Sequence, residues 1–362
     1  MTTRRITSSH VAQRAGVSRA TVSAVLNGSR SVSEALSERV QRAMHDLNYQ
    51  PDAVARSLKA SRTHRIGLVA GNIGSPFWAT VINAAERVAS NHGFHVILAD
   101  NDDDPREELV HLQMLSGERV DGIILAPCGE TNRARILDLA GDIPIVLFDR
   151  RLTGATIDYV ASDNEYGAYL AVRHLIQQAH IRKIACLTLN LELSNGAERL
   201  AGYQKALLES GLPINPHWIK LGNYTEDSGY RDTLALLRLA DPPRAIFACS
   251  HLKAIGALRA VHEVGLKVPE DIALIGYDEM PWAAFLAPPL TVVAQPVAEM
   301  ATQAAELLIK RIQANWEHPG ESASMVEQVL HRPRLIDRES CGCHLAPDRR
   351  AAEAQDAAER SG

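Results

Sequence analysis

The residues of this 362-residue chain that could do chemistry fall into two groups. The first lies between Val11 and Asn27. On a helix starting near Arg19, Arg19 and Ser23 are four residues apart, as are Ala20 and Ala24. That spacing puts these four on one face, opposite Val22, Val25 and Leu26. A face of small side chains with one guanidinium can approach base edges in a major groove, where Arg19 could pair with guanine O6 and N7. Ser18 is placed to cap that helix, which leaves its first-turn N–H groups for phosphate. Ser18, Thr21, Ser23, Asn27 and Arg30 suit contacts to or beside the backbone of a duplex. The competing reading is a helical module for protein contacts. An outward stripe of Ala and Ser is weak for burial, and the charge argues against it too. Residues 1–65 carry 11 Lys+Arg against 4 Asp+Glu, a balance of +7 in a chain of net charge −5. A basic head on an acidic body points the head toward a polyanion.

The second group follows short apolar runs. Asp149-Arg150 comes after Ile143–Phe148, and a guanidinium beside a carboxylate can grip two oxygens of a ligand. Pro76-Phe77-Trp78 comes after Ile66–Ala70, where an aromatic could stack on a sugar face or a base. Asn195 and Arg199 lie at a helix start, and Ser250 and Asp278 follow strands. The plainer alternatives are a surface ion pair for Asp149-Arg150 and core packing for the aromatics, more so for Phe77 than for Trp78.

These residues require elements to position them. Residues 7–48 read as three helices, with Gly16 breaking the first and Ser33 starting the third. Residues 49–65 form a connector. From Ile66 short apolar runs alternate with helical stretches at 77–92, 105–117, 165–178, 197–210, 227–239 and 252–264. The intervening strands are Val96–Ala99, Gly122–Ala126, Ile184–Leu189, Ala245–Cys249 and Ile272–Tyr277. Such alternation means parallel sheets covered by helices, and two series imply two doubly wound lobes over residues 66–339. Crossovers are expected near 162–164 and 290–294, with segment 290–339 passing back between the lobes. Residues 340–362 read as a disordered tail.

The head motif Val11-Ala-x-x-Ala-Gly-Val-Ser-x-x-Thr-Val-Ser-x-Val-Leu-Asn27, followed by Leu47-Asn48-Tyr49-x-Pro51-x-Ala53-x-Ala55-Arg56-Ser57-Leu58, resembles the lactose-repressor (LacI/GalR) family, close to its purine-repressor branch. The similarity extends to about residue 339. It implies a small all-α helix-turn-helix head on an α/β periplasmic-binding-protein-like body, with a ligand between the lobes at carboxyl ends of strands. It also implies a hinge helix over about 53–59, in which Ala55, Leu58 and Lys59 meet DNA and Leu58 wedges into the minor groove. Arg199, Tyr224 and Asp278 match positions that contact effector in the family. Three departures stand out. His10 replaces the usual Asp, Ala24 replaces a frequent Arg or His, and Ser250-His251 replaces Asn-Asp. The last leaves room for a sugar acid or phosphorylated ligand.

By this resemblance the chain is a sequence-specific transcriptional regulator, with a palindromic operator, a sugar-like effector and a homodimeric state. A nucleoside- or purine-type corepressor is the alternative, and a pure sugar-binding protein the weaker one. Polar residues at the start, and no apolar run of membrane-spanning length, favour a cytoplasmic protein. The five cysteines suit reduced thiols. No nucleophile motif points to an enzyme, and no cofactor is expected. Cys341-Gly-Cys343-His344 looks like half a metal site without a fourth ligand, so no metal is expected either. The run Asp100–Pro105 lacks calcium-loop spacing and reads as a solvated turn with a helix cap.

Overall fold

The computed structural model describes residues 6–27, 32–49, 62–318 and 325–345. Arg30, the expected hinge helix with Ala55, Leu58 and Lys59, and residues 346–362 lie outside them. The chain divides into two compact units, Met1–Thr63 and His64–Gly362.

In the first unit, α1 (Ser8–Ala15), α2 (Arg19–Asn27) and α3 (Glu34–Asp46) close on Val11, Ala12, Ala15, Val22, Val40 and Ala43. Gly16 ends α1 at φ 62°, a left-handed conformation that glycine adopts freely. The Arg39 guanidinium donates to the carbonyl of Ala15 at 2.6 Å, satisfying one orphan group at that helix end. His10 does locally what a carboxylate would do: its Nδ1 accepts from the Thr7 N–H at 3.0 Å. The family departure at this position therefore preserves the N-terminal cap.

In the second unit, the strands are β1 (Arg65–Ala70), β2 (His95–Asp100), β3 (Gly122–Leu125), β4 (Ile145–Phe148), β5 (Asp158–Ser162), β6 (Ile184–Thr188), β7 (Ile219–Leu221), β8 (Ala245–Ala248), β9 (Ala273–Tyr277), β10 (Thr291–Ala294), β11 (Gln328–His331) and β12 (Arg334–Ile336). One sheet has the order β11-β5-β4-β3-β1-β2, the other β12-β10-β9-β8-β6-β7. All pairings are parallel except that of β12 with β10. The covering helices are α4 (Pro76–Asn91), α5 (Pro105–Gly117), α6 (Arg133–Asp142), α7 (Asn164–Gln177), α8 (Ser194–Glu209), α9 (Glu226–Leu237), α10 (His251–Glu263) and α11 (Val297–Glu317). In each sheet the order reverses beside the first strand, β1 or β6. This topology opens a crevice at the carboxyl ends of the strands.

The chain passes between sheets three times. It leaves β5 at Ser162 for α7, returns after Ala294 to α11 on the first sheet, and crosses again between His331 and Arg334. The 290–294 segment, read from sequence as a crossover, is itself strand β10 of the second sheet, and the crossing follows it. Asp158 and Arg311 fasten α11 to the start of β5 through two buried hydrogen bonds of 2.7 and 2.9 Å.

The expected tail also needs correcting at its start. Ser340 is fully buried; its hydroxyl donates to the Leu274 carbonyl at 2.7 Å and accepts from the Thr291 N–H at 2.8 Å. Cys341 is packed into the core of the second lobe. The chain then forms a short 3-10 helix, Cys343–Leu345.

Close helix packing in that lobe depends on absent side chains. A Cβ on Gly202 of α8 would overlap the Glu165 carbonyl oxygen, and one on Gly256 of α10 that of Glu226. Gly202→Ala is expected to cost about 1–3 kcal/mol. For a body of this size that lowers the melting temperature by roughly 2–4 °C per kcal/mol. An unchanged melt would show that α7 and α8 can part without penalty.

Candidate functional site

The head offers an exposed surface at the start of α2. Ser18 accepts from the Thr21 N–H at 3.1 Å, so the cap expected of it is present. Ser18, Arg19 and Ala20 are exposed, and Thr21 and Ser23 are half-buried. The Arg19 guanidinium makes no hydrogen bond or ion pair with the described residues. Ala24 departs from its expected place: at 8% exposure it belongs to the helix's inner flank beside Val22. At about 100° per residue Ala24 lies roughly 140° round the helix from Arg19, toward the core side. Ala24 is therefore not part of the outward face.

In the body, a small cavity opens among residues from both lobes. It is lined by Asn72, Ser75, Phe77, Trp78, Asp103, Asp149, Arg150, Asn195, Arg199, Tyr224 and Gln295. Each polar member follows the carboxyl end of a strand. Ser75 is held by capping α4, its hydroxyl accepting from the Phe77 N–H at 3.2 Å. Phe77 and Trp78 contact the cavity and also pack edge to face, with both rings against Phe148. The core packing expected first of Phe77 thus holds for both side chains.

Asp149 and Asp278 directly follow β4 and β9 with φ of 62° and 76°. Non-glycine residues rarely adopt this region, and such strain gathers at functional sites. Arg150 donates to Asp103 at 2.6 Å. Asp103 therefore belongs to the site and not to a merely solvated turn, while its neighbour Asp104 caps α5 through the Arg106 N–H. Asn195, in the first turn of α8, donates to Asp149 across the cleft at 2.9 Å, and Arg151 reaches Glu198 at 2.7 Å. These two bonds bridge the lobes beside the cavity.

Arg199 is almost wholly buried. Its Nε donates to Asn164 Oδ1 at 2.8 Å and its Nη1 to the Cys249 carbonyl at 2.7 Å, and its guanidinium lies 3.7 Å from the centre of the Tyr277 ring. It has no direct ion pair with the described residues, so its charge is available to a ligand. Asp278 is the hub opposite. It accepts from Tyr224 at 3.1 Å and from Gln295 at 2.6 Å, and faces His251 Nδ1 at 3.3 Å. Burial alone would raise its pKa. The His251 hydrogen bond and the Arg199 charge outweigh burial and hold the carboxyl down to about 2. His251 thus acts on a carboxylate beside the cavity, and neither it nor Asp278 is among the lining residues.

Ser250 has a different role from the expected one. It is fully buried and caps α10, its hydroxyl accepting from the Lys253 N–H at 3.2 Å, so it does not reach the cavity. Its short side chain can satisfy the helix end but cannot also extend into the cleft. Asn72, Ser75, Asp103 and Gln295 are the lining residues that sequence reading missed. The position of Asn72 and Ser75 in the loop after β1, beside Phe77, was the available signal for two of them.

Four buried polar atoms in this lining have no hydrogen-bond partner among the described residues: Asp149 Oδ1, Arg150 Nε, Asn195 Oδ1 and Gln295 Oε1. Buried polar groups are normally paired, so a cluster of unpaired ones marks where a ligand's hydroxyls or N–H groups would bond. For Asp149, burial outweighs the Arg150 and Arg199 charges and pushes the carboxyl above its usual range. The folded state therefore takes up this proton more readily than the unfolded chain, and this group's contribution to stability rises as pH falls from that raised value toward the ordinary carboxylate range. Asp149→Asn is accordingly expected to raise the melting temperature at neutral pH, by about 2 °C per kcal/mol gained, while weakening effector binding. A lower melting temperature would mean that the Arg150 contact outweighs the desolvation cost.

A helix-turn-helix head with an exposed, capped second helix, joined to a two-lobed body with a polar cleft, defines a ligand-responsive DNA-binding regulator. The comparisons agree. Residues 9–52 match the bacterial regulatory proteins of the lacI family, and residues 172–341 a periplasmic binding protein-like domain. The ribose operon repressor of Haemophilus influenzae is 38% identical over 91% of this chain and 97% of its own. The transcriptional repressor PurR of Histophilus somni is 35% identical over the same shares. The Lac repressor dimer bound to operator superposes with a TM-score of 0.81 at 26% identity, covering 93% of this chain and 99% of that one. The chain belongs to the LacI family of transcriptional regulators and is not an enzyme. No helix among the described residues is long and apolar enough to cross a membrane.

Proposed function

We propose that this protein is a cytoplasmic repressor that binds a palindromic operator as a homodimer and answers to a neutral, polyhydroxylated small molecule. The observation that carries the effector class is the ring of unpaired acceptors and donors on Asp149, Arg150, Asn195 and Gln295. Two carboxylates, Asp103 and Asp149, line the cavity with two guanidiniums, Arg150 and Arg199, and Arg150 is already paired with Asp103. That balance disfavours a sugar acid or phosphate. The similarity to a ribose operon repressor supports the same class. A purine-type ligand is the second reading. It is favoured by the Phe77/Trp78 pair on the cavity wall and by the similarity to PurR.

For dimerisation, Leu98 on edge strand β2 and Val110 and Met114 on α5 supply exposed apolar side chains on packed neighbours. A two-fold pairing would present two heads to one palindrome. Effector and operator would then be coupled by about 1–3 kcal/mol, a ratio of roughly 5–150 in affinity.

The test is fluorescence anisotropy with DNA from upstream of the protein's own gene. Aldoses, sugar acids, nucleosides and free purines are added in separate arms. A shift in operator affinity with an aldose supports the reading. A shift with purines alone transfers it to the second, and indifference to duplex sequence overturns it.

A further inference from the structure

The C-terminal turn brings together a set of donor atoms that the regulatory function does not use. His174 stands in the last turn of α7, Asp337 directly follows β12, and Cys341 and Cys343 lie in the turn after it. Cys343 Sγ is 2.8 Å from His174 Nε2 and 2.9 Å from Cys341 Sγ. Asp337 Oδ1 is 3.3 Å from both His174 Nε2 and Cys341 Sγ. All four ligand atoms lie within 4.8 Å of one another. We propose that His174, Asp337, Cys341 and Cys343 form a structural zinc site.

The chemistry of the donors selects the ion. Two thiolates and an imidazole are soft or borderline ligands, which favour zinc over calcium or magnesium. Zinc–sulfur bonds of about 2.3 Å and zinc–nitrogen or zinc–oxygen bonds of about 2.0–2.2 Å place tetrahedral ligand atoms roughly 3.3–3.8 Å apart. The quartet already approaches that spacing, so seating an ion requires only a small outward movement of the side chains.

The backbone is arranged for it. Gly342, between the cysteines, has φ 73°, a left-handed turn that brings the two sulfurs to one side. The Ser340 hydroxyl pins the turn to β9 and to the start of β10, and Cys341 is buried. His344, which the sequence suggested as a ligand, is exposed and outside the quartet; His174 takes its place. Four ligands from the protein leave no open position, as in structural sites rather than catalytic ones.

The ion would tie the C-terminal turn to α7. The first residue of that helix, Asn164, supports Arg199 in the cleft. Zinc would therefore stiffen the helix behind the effector site without touching the effector.

The test uses the full chain, reduced, freed of metal with a chelator and then titrated with cobalt(II). Cobalt reports thiolate ligation by a near-ultraviolet charge-transfer band and tetrahedral geometry by visible absorption. One cobalt per chain with both signals is expected, displaced by zinc, and zinc alone should raise the melting temperature. Cys343→Ser, at a half-exposed position, should remove most of the charge-transfer band and weaken cobalt binding at least tenfold. Asp337→Asn, at an exposed position, should weaken binding while keeping the band. Cobalt uptake without the band, or a band unchanged in Cys343→Ser, overturns the site. So does the loss of two titratable thiols with a 2 Da decrease in mass in metal-free protein under air, if reduction then restores the thiols but no cobalt binding.

Discussion

Arg199→Ala is expected to abolish the response of operator binding to effector and also to destabilise the body. The two losses have separate causes. The guanidinium uses Nε and Nη1 to hold Asn164 and the Cys249 carbonyl, and it stacks on Tyr277. Removing it leaves buried acceptors unpaired, at about 1–3 kcal/mol for each group so exposed. From sequence alone the substitution looks harmless to folding, because an Arg at a helix start resembles a surface group. Its burial reverses that expectation. Its Nη2 has no protein partner among the described residues, and the side chain lines the cavity. A charge-assisted bond to a ligand oxygen there is worth about 1.5–3 kcal/mol, or roughly 10–150-fold in affinity. Arg199→Lys separates the effects. It keeps the charge but cannot span both Asn164 and the Cys249 carbonyl, so stability should suffer more than binding. Calorimetric titration beside a thermal melt makes the distinction. An effector response of wild-type size in a folded Arg199→Ala protein would remove this residue from the site.

The parts of the site legible in the sequence are those set by local rules. Asp149, Arg150, Asn195 and Arg199 follow apolar runs and helix starts, and all line the cavity. The missed parts depend on partners far along the chain. Asp103 lies in an acidic run that looks solvated, and only Arg150, 47 residues later, draws it inward. Ser250 reads as a ligand group by family position, yet the helix end beside it claims its hydroxyl first.

The same division holds for the fold. Strands β1, β4, β6 and β9 announce themselves as unbroken apolar runs, as strands buried on both faces must. Strand β5 begins with a carboxylate that looks like a loop residue. Asp158 is tolerated there because Arg311, 153 residues away, pairs with it through two hydrogen bonds. Helix α11 does carry apolar residues at helical spacing, Met300, Ala301, Ala304, Ala305, Leu308 and Ile312, all buried. Its membership of the first sheet's layer, after a strand of the second, follows no local signal. Ser340 and Cys341 adjoin an Ala-, Arg- and Glu-rich stretch whose composition hides their burial; hydrogen bonds to Leu274 and Thr291 hold them.

The second large effect concerns the head. Arg19→Ala is expected to weaken operator binding by about 1–3 kcal/mol for each guanine it pairs with, and to relax discrimination at that base pair. Folding should be unaffected, since Arg19 is exposed and makes no bond with the described residues. Its position on the first turn of α2, directly after the Ser18 cap, gives it the reach. The burial of Ala24 sharpens the expectation: with no long side chain at that position, Arg19 is the one extended donor among residues 18–26. A phosphate contact predicts something different, a uniform loss across sequences and a salt dependence shallower by about one unit of slope. Arg19→Lys decides between the two. Lysine can neutralise a phosphate, but it cannot make the paired, coplanar hydrogen bonds that guanine O6 and N7 accept from arginine. Base reading therefore requires the lysine variant to lose specificity while it keeps the salt slope. If it binds operator and base-substituted operator with the wild-type ratio, Arg19 positions the head on the backbone, and sequence must be read through the shape of the duplex.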